Sequence, residues 1–76
     1  MILHFVRAYD PISDELTGEY LLTGDAAKQV MGLMIGKVHE ESEIIAIHAK
    51  DVPSIAKILG IPLDPRHDHF LEFNTA

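Results

Sequence analysis

The chain has 76 residues, with twelve Asp and Glu against six Lys and Arg, a net charge of −6 and no cysteine. That length fits one compact domain, residues 1–76, and excludes a second, while the missing thiols exclude a disulfide framework and a Cys-based zinc site. The acidic balance opposes binding to DNA, RNA or an anionic membrane and favours a basic partner.

An apolar content of 47% with a mean hydropathy of +0.12 leaves apolar surface to be buried against another chain. The opening MILHFVRAYD is interrupted by His4 and Arg7 and has no basic region ahead of a longer apolar run, unlike a signal peptide. The longest apolar stretch, residues 30–36, is far short of the ~20 a membrane span needs, so a cytoplasmic protein is expected.

Residues 2–9 are rich in β-formers, and residues 16–23 repeat the pattern with Leu16, Tyr20 and Leu22 on one face. Between them Asp10-Pro11-Ile12-Ser13-Asp14 supplies turn chemistry, so the two stretches read as a β-hairpin. Gly18 weakens the second strand or permits a bulge or a close neighbour there. Gly24 and Asp25 mark a turn and an N-cap, after which Ala27, Val30, Met31, Met34, Ile35 and Val38 recur at helical spacing, predicting a helix over 26–37. Gly32 and Gly36 each cost that helix about 1 kcal/mol against Ala, and their spacing suits a tight crossing over the sheet.

After a polar, acidic linker over 39–43, Ile44, Ala46 and their neighbours Ile45 and Ile47 form an apolar run of strand length that predicts burial on both faces. Asp51 then stands where an N-cap belongs, Pro53 in the first turn, and Val52, Ile55, Ala56 and Leu59 at i, i+3, i+4 and i+7. Gly60 ends this second helix and Pro62 prevents its resumption. The chain closes with a strand over 67–73 that puts His69, Leu71 and Phe73 on one face and Asp68, Phe70 and Glu72 on the other. The fold expected is α+β in the order ββαβαβ: a four-stranded, mainly antiparallel sheet with two helices on one face.

Chemistry-bearing motifs are few. His67 and His69 would project to the same side of a strand, as two ligands of a metal site do, but no third or fourth ligand is assigned, and edge or interface histidines are the plainer reading. His39-Glu40-Glu41-Ser42-Glu43 departs from H-E-x-x-H at its last position, and no phosphate-binding glycine loop is present. Ser13, Ser42 and Ser54 have no assigned base, so neither enzyme activity nor a cofactor is expected. The carboxylates are more informative. Glu40, Glu41 and Glu43 cluster at one connection, Asp10, Asp14 and Glu15 at the hairpin turn, and Asp64, Asp68 and Glu72 around the last strand, where converging charge would steer a basic partner.

The front flow F-x-x-x-Y-D-P-x-S-D-E-L-x-x-x-Y-x-L, with Phe5, Tyr9, Asp10, Glu15, Leu16, Tyr20 and Leu22, resembles small bacterial immunity-type proteins encoded beside polymorphic toxins. So does the closing I-x-L-D-P-x-x-D-H-F-L-E-F, with Ile61, Leu63, Asp64, Asp68, Phe70, Leu71 and Glu72. The resemblance covers the two ends, and the middle matches only in its helix–strand–helix plan. It implies a protein that binds and occludes a cognate toxin domain. The acidity here would suit a basic nuclease domain and a complex that weakens as salt rises. The alternatives are a homodimer-forming interaction module and a small His-based metal-binding protein.

Overall fold

The computed structural model of the chain describes residues 2–34 and 44–75. The elements are β1 (Ile2–Tyr9), β2 (Leu16–Leu22), α1 (Gly24–Met34), β3 (Ile44–Ala46), α2 (Val52–Leu59) and β4 (Asp68–Thr75), with a 3₁₀ turn over Ala49–Asp51 leading into α2. This is the expected ββαβαβ order. The strands form one antiparallel sheet in the spatial order β2-β1-β4-β3, so the first and last strands are its central pair, in register from Ile2↔Thr75 to Tyr9↔Asp68.

Alternation along these strands divides the sheet into two unlike faces. Val6, Leu71 and Leu22 point to one face, where Val30 and Met34 of α1 and Val52 and Ile55 of α2 close over them; each is at most 5% exposed. Both helices therefore lie on the same face. Helix α2 shows why its sequence was readable at the C-terminal end. Gly60 takes φ +71°, its N–H donates to the Lys57 carbonyl at 3.3 Å, and the Ile61 N–H donates to the Ala56 carbonyl at 3.2 Å, the two bonds of a Schellman stop. At the N-terminal end the 3₁₀ turn gives Asp51 helical dihedrals, φ −92° and ψ −12°, so its side chain makes no cap hydrogen bond, contrary to expectation. Instead the Asp51 N–H donates to the His48 carbonyl at 2.8 Å.

Other details depart from expectation for physical reasons. Helix α1 begins at Gly24, and its expected end at 37 lies outside the described residues. A Cβ added at Gly32 would meet nothing within 4 Å among the described residues, which shows no tight crossing there, and Gly36 lies outside the described residues. Strand β3 is an edge strand packed on one side only: Ile47 is buried and Ile45 packs on the core, but Ile44 is 56% exposed on the other face. In the hairpin, pairing steps from Ala8↔Gly18 to Tyr9↔Leu16, and this one-residue bulge turns Leu16 away from Tyr20 and Leu22. Tyr20 folds back over Gly18, where an added Cβ would lie 2.6 Å from its hydroxyl. Strand β4 starts at Asp68, leaving His67 in the preceding turn.

Candidate protein-binding face

The second face of the sheet is covered by no helix among the described residues. Strand β1 sends Phe5, Arg7 and Tyr9 to it, β2 sends Glu19 and Leu21, β4 sends Asp68, Phe70, Glu72 and Asn74, and β3 sends Ile44. This face sets a charged residue, Arg7, between aromatics at i−2 and i+2. Its order comes from Arg7, which donates to Glu19 Oε2 at 2.7 Å, to Glu72 Oε1 at 2.8 Å and to Asn74 Oδ1 at 2.8 Å. The guanidinium also lies over the Phe5 ring at 4.3 Å.

Glu72 is 8% exposed, and a carboxylate so covered needs its charge answered. Arg7 answers one oxygen, and the Tyr9 hydroxyl donates to the other at 2.5 Å. That bond to Glu72, followed by partial burial, raises the Tyr9 pKa above its ordinary value. The Tyr9 ring is thereby fixed, and it meets Phe70 edge to face with centroids 5.6 Å apart. Tyr9, Phe70 and Glu72, together with Asp14, Ile44 and Asp68, line an open concavity of about 310 Å³.

The carboxylates singled out in the sequence fall into four groups. Asp14, Asp68 and Glu72 come together at this concavity, although they are far apart in the chain. Asp10 and Asp64 serve the local backbone instead. Asp10 Oδ1 accepts from the N–H groups of Ile12 and Ser13, which holds its carboxyl below the usual range. Asp64 accepts from the Arg66 guanidinium and the Arg66 N–H, which pull its carboxyl well below that range. Glu15 is exposed in the hairpin loop, where its carbonyl accepts from the Asp10 N–H. Glu40, Glu41 and Glu43 lie outside the described residues.

The two histidines differ in exposure and hydrogen bonding. His67 Nδ1 pairs with Thr17 Oγ1 at 3.0 Å, and its Nε2 lies 3.7 Å from Asp64. His69 points into the helix-covered side and is 3% exposed, with neither ring nitrogen hydrogen-bonded among the described residues. Burial lowers its pKa, offset in part by the nearby His67 carbonyl. His67 thus precedes β4 rather than lying in it, yet it lines one concavity together with His69, Ile47 and Val52; no group of three or more potential metal ligands gathers among the described residues.

Sequence reading assigned no site role to Arg7, Tyr9, Glu19, Ile44 or Phe70. The available signal was the period-two series Phe5, Arg7, Tyr9 opposite Asp68, Phe70, Glu72, which places ionic groups among rings on one face. Compared with known proteins, the chain matches no family model, no curated protein and no solved structure. No described helix is long and apolar enough to cross a membrane.

Proposed function

We propose that the chain is an immunity-type inhibitor that binds a basic toxin domain, such as a nuclease, through the helix-free face of its sheet and occludes it in the cytoplasm. The supporting observation is the unequal charge of the two layers. The sheet face and its rim carry four carboxylates, Asp14, Glu19, Asp68 and Glu72, against the single guanidinium of Arg7. The described lysines, Lys28, Lys50 and Lys57, all belong to the helix layer. A basic partner is thus steered to the sheet, and the exposed side chains of Leu21 and Ile44 there give it apolar area to cover.

Three strands of seven or eight residues and one of three present a face of at most roughly 20 by 26 Å. That is below the ~800 Å² per partner of a standard interface, so the hairpin loop over 10–15 must take part. The same apolar side chains favour a second reading, a homodimer through this face. Like charges would then oppose one another across the twofold axis, which favours a basic partner over a second copy.

The test is co-expression of the tagged chain with the reading frame immediately upstream of its gene. Equal-stoichiometry co-purification at low salt, together with survival of cells carrying that frame's C-terminal domain, is expected. Neither binding nor rescue at low salt would reject the proposal.

A further inference from the structure

The concavity on the open face has walls of two kinds. Tyr9 and Phe70 offer aromatic surface, held in place by the edge-to-face contact and by the Tyr9 bond to Glu72. Asp14 and Asp68 offer carboxylates with no ion-pair partner among the described residues, whereas the charge of Glu72 is already matched by Arg7. Ile44, 56% exposed, forms an apolar lip. The volume, about 310 Å³, is too small for a secondary-structure element and ample for one long side chain.

We propose that this concavity receives one arginine side chain of the partner protein. Its guanidinium lies against the Tyr9 and Phe70 rings and between Asp14 and Asp68, and its methylene stem crosses Ile44. A planar cation is the group that both kinds of wall attract, since ring faces carry negative quadrupole charge and a carboxylate matches the guanidinium fork. Burial of such an arginine, at the hairpin-loop end of the face, would make it a binding hot spot. This assignment rests on the reading of the open face as protein-binding.

The test is an NMR titration of the isotope-labelled chain with N-acetyl-arginine methylamide, and in parallel with the uncharged citrulline analogue of the same shape. The arginine amide is expected to give saturable shifts centred on Tyr9, Ile44 and Phe70. Binding should weaken by about tenfold or more with citrulline, which forms neither ion pair and has no charge for the rings to attract. The D14N/D68N double variant, which removes both ion pairs from the other side, should weaken the arginine amide by a similar factor. Asn accepts the positive φ of position 14, +60°, as readily as Asp, so that variant retains the loop. Absence of saturable shifts, equal binding of citrulline, or indifference to D14N/D68N would overturn the assignment. If the arginine amide fails while the co-expressed partner still co-purifies, the pocket falls alone and the reading of the chain as a toxin-binding protein stands.

Discussion

Replacing Arg7 with Met keeps an unbranched stem over Phe5 and removes the guanidinium that joins three strands. Among the described residues Glu72 then retains only the Tyr9 hydroxyl as partner, at a carboxylate whose side chain is 11% exposed. A hydrogen bond to a charged group contributes about 1.5–3 kcal/mol, and the bond to the more exposed Glu19, at 46%, adds less than about 1 kcal/mol. The expected loss is therefore about 2–3 kcal/mol, which for a domain of 76 residues corresponds to a fall in Tm of roughly 8–24 °C. Urea unfolding of wild type, R7M, E72Q and the double variant would measure it. R7M/E72Q should recover at least about 1 kcal/mol of coupling, because the double variant no longer buries an unanswered charge. A loss for R7M below about 0.5 kcal/mol with no coupling to E72Q would refute the view that this cluster organises the face.

His69 gives a pH signature. Its folded pKa lies below the ordinary 6.5, so the unfolded chain binds the proton more readily, and stability falls as pH drops from 6.5 toward the folded value. Urea midpoints between pH 5 and 8, read on wild type and H69L, should show that slope at the low end flattened by the variant; an unchanged slope contradicts it. Gly32 inside α1 and Gly60 just past α2 should respond oppositely. Gly32→Ala, into open space, should stabilise by about 0.5–1 kcal/mol, while Gly60→Ala, at φ +71°, should destabilise by about 1–2 kcal/mol. Thermal unfolding of both variants checks this, and a destabilised Gly32→Ala would show that a neighbour does approach α1.

Local signals were legible wherever a single stretch of chain decides the outcome. The stripe Val52, Ile55, Leu59 with Gly60 after it specifies α2 without help from the rest of the fold, and the Pro11 turn specifies the hairpin. Sheet position is not local. The run 44–47 is apolar at every residue, yet β3 lies at an edge, so alternation assigns Ile44 to an open face that its own sequence does not announce. Register is equally hidden: one extra residue near Thr17 reverses Leu16. The Arg7–Glu72 bond joins residues 65 apart in sequence, and only the pairing of the first strand with the last brings them together. The convergence of Asp14 with Asp68 and Glu72 has the same origin, whereas Asp10 and Asp64 follow rules legible over two or three residues.

The most direct test of the open face as the docking surface is solvent paramagnetic relaxation of side-chain methyls in the free chain and in the co-purified complex. Leu21 and Ile44 on the sheet face should become less accessible to solvent on binding, while Leu33 and Ile58 in the helix layer keep their accessibility. Protection of the helix-layer methyls with Leu21 and Ile44 unchanged would contradict the account and move the interface to the opposite side of the molecule.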